Sequence, residues 1–521
     1  MNRRSMFFVF GFLCVLSIIL SAFIKKTGGN GLDEGKDLFY KYCSSCHMTP
    51  NPADLTKLIW EYNVLPPMAA RLGIVYPDYD PYFGLTPEEK VIVDKNYIFP
   101  AGPALSQEDW DKIRNYIIKN APDTVAYDAG RVNRDLPLRQ FIRKDIQIDD
   151  RVPSLITGLR YNDRDKTLWI GNFYNEVFTW KWNVGVTSFI PVTSPVVDFQ
   201  FIGDSTYLTE IGKLYPSELS LGSIATMNAR TDSTAKDLLT TLHRPVNTQI
   251  EDLNNDGVPE MVVCNFGNKT GGLSLFKKDK KTGKYTEDVL LRLPGATKCY
   301  IKDMDGDGKK DIVALFSQGD ESVFILYQKD NLKFKAKRVL RFPPNYGTTD
   351  MALVDYNHDG LMDIVTVHGD NADYSPILKS YHGLRFNINQ GGDNFQEKFF
   401  YPLYGVTRVI ADDFDQDGDI DFAASCFFPD FGSLLDESFV YLENTDPGHF
   451  GFKTYILKSD VPVKSLTLEK ADIDGDGDMD IILGNFAQTP GRVPPAIDEQ
   501  WKTAKYGLIV FENQLRQPVK K

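Results

Sequence analysis

At 521 residues the chain is longer than one ordinary hydrophobic core fills, so it holds several domains or one large repeat assembly joined to a smaller unit. Apolar residues make up 42% of it and the net charge is −13, which fits a globular protein and excludes nucleic acid as a partner, because phosphate binding calls for clustered Lys and Arg. The six cysteines, Cys14, Cys43, Cys46, Cys264, Cys299 and Cys426, are too few and too scattered to form a disulfide framework.

Arg3 and Arg4 precede Met6 to Ile24, 19 residues without a charge, and Lys25-Lys26 close the run. As a helix this run reaches about 28 Å, close to a bilayer core of about 30 Å. Residues 1–26 are therefore expected to form an uncleaved transmembrane signal anchor, with a removed signal peptide as the alternative. The basic flank keeps the N-terminus in the cytoplasm, which puts the rest on the periplasmic side of the cell envelope, anchored in the inner membrane. Cys14 does not make this a lipoprotein signal, since Leu13 before it is a poor fit to such a cleavage site.

After a Gly-rich linker, residues 32–123 contain Cys43-Ser-Ser-Cys46-His47, the attachment pattern for a c-type haem. One helical turn places two thiols to add to the haem vinyl groups, and the adjacent imidazole reaches the iron from one side. His47 is the only histidine of the segment, and Met48 is too close to it to reach the opposite haem face. Met68 is left as the second axial ligand, on a loop stiffened by Pro66 and Pro67; core packing of Met68 with an open iron is the alternative. Ser106-Gln-Glu-Asp109 starts a helix with Trp110, Ile113, Tyr116 and Ile117 on one face. The segment resembles a class I cytochrome c domain, which implies a small all-α fold around covalent haem c. It departs from that pattern in the short step of 21 positions from His47 to Met68. Residues 71–106, rich in Tyr, Pro and Asp, are expected to be a surface loop and docking face.

A linker over 124–136 leads into residues 137–515, where one acidic pattern recurs. Asp252, Asp303, Asp355, Asp413 and Asp472 are each followed by Asp or Asn two residues on, Asp four on, Gly five on and an acid eight on. Their separations, 51, 52, 58 and 59 residues, indicate stacked or radial units. Leu168-Trp-Ile-Gly-Asn-Phe173 matches Ile481-Ile-Leu-Gly-Asn-Phe486, so a further unit precedes the five with its acidic loop reduced to Asn162-Asp-Arg-Asp165, and another covers Val196 to Met227. Seven units in 379 residues give about 54 each, the size of a four-stranded propeller blade. Runs such as Asp311-Ile-Val-Ala-Leu-Phe316 and Ser322-Val-Phe-Ile-Leu-Tyr327 have the length and composition of strands.

Two like charges about 4 Å apart repel by about 4 kcal/mol at an effective dielectric near 20, so such loops call for a cation. Oxygen ligands at alternating positions suit a hard divalent ion, calcium before magnesium. These are not EF-hands, because the twelfth positions are Val263, Ala314, Thr366, Ala424 and Leu483. The pattern resembles the FG-GAP, or VCBS, repeats of integrin α-chain propellers and exported bacterial proteins. The resemblance implies an all-β seven-bladed propeller with about five structural calcium sites. Its ligands would be Asp252, Asn254, Asp256 and Glu260; Asp303, Asp305, Asp307 and Asp311; Asp355, Asn357, Asp359 and Asp363; Asp413, Asp415, Asp417 and Asp421; and Asp472, Asp474, Asp476 and Asp480.

No catalytic constellation stands out in the propeller. His243, His358, His368, His382 and His449 are scattered, with His368-Gly-Asp370 and His382 the best candidates among them. Trp180 and Trp182 are expected to fill space between blades, and Cys264, Cys299 and Cys426 to be buried free thiols. The function expected is electron transfer by haem c, with the propeller docking a redox partner or an oxidase complex; the partner expected is a redox protein or quinol. The alternatives are a haem-linked propeller dehydrogenase for a sugar or alcohol, and an adhesion platform with a haem sensor.

Overall fold

The computed structural model of the protein describes residues 31–126, 135–228, 231–372, 375–458, 462–488 and 493–515. The expected anchor or signal segment 1–26 and Cys14 lie outside the described residues. Among those described, no helix is long and apolar enough to cross a membrane.

Residues 31–126 are helical. Helix Gly31–Cys43 packs against helix Gln107–Asn120, and Gly35 is required at the crossing, since a Cβ there would stand 2.5 Å from the Lys112 carbonyl oxygen. The second helix starts where the sequence indicates: Ser106 Oγ accepts from Asp109 N at 3.1 Å, and Trp110, Ile113 and Ile117 are buried. Phe39, Leu55, Trp60 and Leu65 complete one core with them.

Two local expectations change here. Met68 is not on a loop but in helix Leu65–Arg71, which continues a π-helical turn, Trp60–Val64; Pro66 and Pro67 lie just after the join, and the Glu61 carbonyl in the preceding turn accepts from Tyr76 Oη at 3.2 Å. The stretch 71–106 is not wholly a loop, because helix Pro87–Lys95 forms inside it. Thr86 and Glu89 close a reciprocal capping box there, and Pro87 fixes the first turn.

The remaining chain is a seven-bladed β-propeller. Among the described residues the blades span 156–191, 196–242, 245–291, 296–341, 348–402, 406–456 and 465–513, each an antiparallel sheet running from the inner strand outward. The two blades without a complete acidic loop are therefore present, and the second runs past Met227 because its outer strand is Lys236–Leu242. The last blade receives its outer strand from the other end of the chain, where Phe141–Ile146 pairs with Leu508–Asn513. Asp135–Pro137 adds a short parallel strand beside Gly451–Ile456.

Middle strands such as Asp311–Phe316 and Ser322–Gln328 are buried along their whole length between neighbouring blades. Cys264, Cys299 and Cys426 are buried and in no disulfide, and Trp180 packs in an inter-blade core with Trp182 against it.

Antiparallel order puts the turns between first and second strands on one face and those between second and third on the other. All five acidic loops are turns of the first kind. The helical part meets the opposite face. Glu89 Oε1 accepts from Ser217 Oγ at 2.6 Å and from Glu218 N at 3.0 Å, Asn345 Nδ2 donates to Asp54 Oδ2 at 3.2 Å, and Tyr381 Oη donates to the Asp54 carbonyl at 3.2 Å. Ile377 of the propeller packs into the helical core.

Candidate functional site

Cys43 is the last residue of its helix, and Ser44 and Ser45 turn the chain back by donating to the Tyr40 and Tyr42 carbonyls at 2.5 and 2.6 Å. This turn leaves Cys46 exposed and His47 half-buried. Burial, with the Cys46 thiol beside it, pushes the Cys43 thiol up to about 12. Burial lowers His47 against the opposing pull of the Met48 carbonyl and of Asp320 on the propeller. His47 Nδ1 lies 2.9 Å from the Met48 carbonyl oxygen, so the neutral ring donates there and keeps the Nε2 lone pair. Cys43 and Met68 both pack against the same apolar cluster as Phe39, Trp60 and Leu65. Two thiols one turn apart, an imidazole with one uncommitted nitrogen and a thioether on a shared apolar wall form a donor set that suits a covalently held haem.

In the acidic loops the structure separates two kinds of carboxylate. The first acid caps its own loop: Asp303 accepts from Gly306 N at 2.8 Å and Gly308 N at 2.9 Å, and Asp355 from Asp359 N at 3.1 Å and Gly360 N at 2.9 Å. The ninth-position acid is buried and ties the loop to the blade. Asp311 takes Met304 N at 2.9 Å and Gln328 N at 2.8 Å, Asp363 takes Tyr356 N at 3.0 Å and Asn389 N at 2.7 Å, and Asp480 takes Ile473 N at 2.9 Å and Asn513 N at 2.8 Å. Asp421 accepts from Phe414 N at 3.2 Å, Asn444 N at 2.7 Å and Tyr441 Oη at 2.6 Å, and Glu260 from Leu253 N at 3.0 Å. Sequence spacing reads these acids only as ligands; their second role as staples to the third strand is visible only in the fold.

Three loops bring three carboxylates within 4.8 Å of one another: Asp303, Asp305 and Asp311; Asp413, Asp415 and Asp417; Asp472, Asp474 and Asp480. Asp307, Asp421 and Asp476 stand outside these groups. In the other two loops an amide takes the third position, and Asn254 and Asn357 donate to Asp256 and Asp359 at 3.3 and 2.9 Å. Burial, reinforced by neighbouring acids, raises Asp363 and Asp415 to about 6 and Asp421 and Asp480 to about 7. A divalent cation would relieve the crowding that favours those protons.

Of the propeller histidines only His368 and His382 come close enough to interact, and both are buried. His368 is buried, with Thr348 Oγ1 at 2.8 Å from Nδ1 and Thr366 Oγ1 at 2.9 Å from Nε2, and burial holds it neutral. His382 is buried in the same blade and neutral for the same reason, while His449 is exposed beside Asp446. His358 belongs to an acidic loop, and His243 is lowered by burial.

Down the propeller axis the inner strands enclose a channel of about 1820 Å³. It is lined by hydroxyl and amide side chains, inter-blade ion pairs, and the rings of Phe266, Phe427, Phe428 and Phe486. Helix Pro495–Thr503 contributes Asp498 and Lys502 to its wall.

Residues 252–314 and 303–366 match the FG-GAP-like repeat family. No curated protein matches the chain. Among solved structures, the WD40 domain of Neurospora crassa Pan2 is similar at 12% identity over 67% of this chain and 93% of that one, with a TM-score of 0.42. Saccharomyces cerevisiae Sqt1 is similar at 8% identity over 71% and 99%, TM-score 0.43. A putative 6-phosphogluconolactonase from Bacteroides fragilis is similar at 11% identity over 59% and 84%, TM-score 0.41.

Proposed function

We propose that this FG-GAP-repeat propeller carries, on its helical part, a covalent haem c and acts as an exported electron-transfer protein, tethered to the inner membrane by residues 6–24. The observation that carries the reading is Cys43-x-x-Cys46-His47 at a helix end, with His47 Nδ1 committed to the Met48 carbonyl and Met68 on the apolar wall that also holds Cys43. A haem held there supplies one-electron exchange at its iron. Cys43 and Cys46 would tether it, His47 and Met68 would ligate it, and the cluster around Trp60 and Leu65 would keep water from one side. Calcium in the acidic loops would have a structural role on the far face, leaving the near face to position the helical part and dock a redox partner.

A second reading, a dehydrogenase for a sugar or alcohol, is favoured by one relationship. Tyr215 and Pro216 line the axial channel, and the next residue, Ser217, holds Glu89 of the helical part, so channel and helical part share a loop.

Replacing Cys43 and Cys46 by Ala tests the central reading: loss of the covalent haem spectrum is expected, and a surviving spectrum overturns it. In purified wild type, reduction by quinol or another cytochrome alone supports the carrier, whereas reduction by added sugars or alcohols supports the dehydrogenase. Met68→Ala is expected to remove the thioether-to-iron band of the oxidised protein while the covalent attachment remains.

A further inference from the structure

Almost every cation on the channel wall has its charge committed. Arg160 pairs with Asp198 at 3.1 Å and Glu469 at 3.7 Å, Lys298 with Asp350 at 2.8 Å, Lys470 with Asp412 at 2.5 Å and Lys502 with Asp498 at 2.6 Å. Arg244 has no carboxylate, but main-chain oxygens engage its guanidinium: Nε donates to Lys213 O at 3.0 Å, Nη2 to Leu214 O at 2.7 Å and Nη1 to Gly267 O.

Arg408 differs from all of these. It sits on the inner strand Val406–Asp412, opposite Ser425, half-buried and part of the channel wall. Its Nε donates to the Leu466 carbonyl at 2.7 Å, which fixes the plane of the side chain. Neither Nη nitrogen has a partner among the described residues. On the neighbouring inner strand Thr348–Val354, Asp350 is occupied by Lys298 Nζ at 2.8 Å, Met351 N at 2.9 Å and Val409 N at 3.2 Å, and on Ser465–Ala471, Glu469 faces Arg160 at 3.7 Å. A guanidinium anchored at Nε and open at both Nη groups presents the planar fork that matches a carboxylate with two parallel hydrogen bonds. Leu466, which holds the fork, packs against Phe427, Phe428 and Phe486, so an apolar surface borders it. Thr407 and Thr467 line the channel beside it and offer hydroxyl groups.

We propose that Arg408 anchors a binding site in the propeller channel for a small cyclic organic carboxylate, whose carboxylate meets the two Nη groups and whose ring lies against the Phe427–Phe428–Phe486 wall. The site is independent of the electron-transfer reading: it uses neither the Cys43 to His47 segment nor a cation in the acidic loops.

The test is calorimetric titration of the purified full chain with glucuronate and with benzoate, alongside glucose, benzamide and inorganic phosphate. At least one of the two carboxylates is expected to bind at least tenfold more tightly than its neutral counterpart and than phosphate, and Arg408→Gln is expected to weaken it at least tenfold while the melting temperature stays near wild type. Arg408→Lys keeps the charge and removes the fork, so it is expected to be weakened too; it serves as the decisive variant if Arg408→Gln does not fold. Absence of binding by both carboxylates overturns the proposal, as does equal binding of phosphate or unchanged affinity in the Arg408 variants.

Discussion

Glu89 and Ser217, 128 positions apart, meet at 2.6 Å where the helical part sits on the propeller. Glu89 belongs to the capping box of its own helix and also accepts from Glu218 N at 3.0 Å, so one carboxylate both caps the start of a helix and joins two parts of the molecule. Glu89→Ala is expected to weaken that junction by about 2 kcal/mol, the scale of hydrogen bonds to a charged group. Faster amide exchange in residues 213–219 and in helix Pro87–Lys95, with unchanged exchange in the blades, would show it.

The same carboxylate sets an acid limit on the junction. Burial raises its pKa, but the hydrogen bonds from Ser217, Thr86 and Glu218 outweigh burial and hold it at about 2. Its folded value lies below the ordinary value near 4.3, so its contribution is complete above about pH 4.3 and is lost as the pH falls toward 2. Scattering measurements across that window should record expansion of wild type, and Glu89→Gln should already be loosened at neutral pH.

Glu321 has the opposite sign. It is buried at the top of the fourth blade, and burial pushes it up to about 8 despite bonds from Thr348 Oγ1 at 2.5 Å, Thr348 N at 3.0 Å and Gly347 N at 3.1 Å. Between about pH 4.3 and 8 the folded chain holds a proton the unfolded chain has released, so this group's contribution to stability falls as the pH rises through that window, by about 1.4 kcal/mol per pH unit at most. Glu321→Gln cannot ionise. Its denaturation midpoint should fall less than that of wild type between pH 5 and 8, and parallel curves would refute this.

Asp480→Asn is expected to act both with and without calcium. An amide cannot accept from both Ile473 N and Asn513 N through two oxygens, so one buried N–H loses its partner at about 1–3 kcal/mol. Calcium should raise the wild-type melting temperature and chelation should lower it, while the variant should start lower and respond less. An unchanged wild-type melting temperature on chelation would count against structural cations.

Gly35→Ala tests the helix crossing. The added Cβ would stand 2.5 Å from the Lys112 carbonyl oxygen and 3.1 Å from Tyr116 Cβ, so the two helices must separate. A cost of about 1–3 kcal/mol is expected, read from thermal unfolding of the helical signal.

The propeller was legible because its pattern repeats: Asp303 to Asp311 and Asp472 to Asp480 carry the same spacing, and the apolar runs after them become buried middle strands. Of the two blades without a complete loop, the first is legible through Leu168 to Phe173, and the second is expected over Val196 to Met227. Met68 is expected on a loop stiffened by two prolines, whereas the chain carries it in a helix that continues a π-helical turn. Glu89 with Ser217, and the open fork of Arg408, leave no local signal. Each depends on side chains brought together from distant strands and turns, and no period in the sequence encodes that.

Pairing of Phe141–Ile146 with Leu508–Asn513 also bears on how the protein is made. A chain emerging N-terminus first exposes Phe141–Ile146 more than 360 residues before its partner strand exists. The ring therefore cannot close during synthesis, and its closing strand must wait unpaired until the C-terminal end arrives. Any product cut short before Leu508 is left with an open circle and two bare sheet edges, a state that proteases and chaperones can recognise.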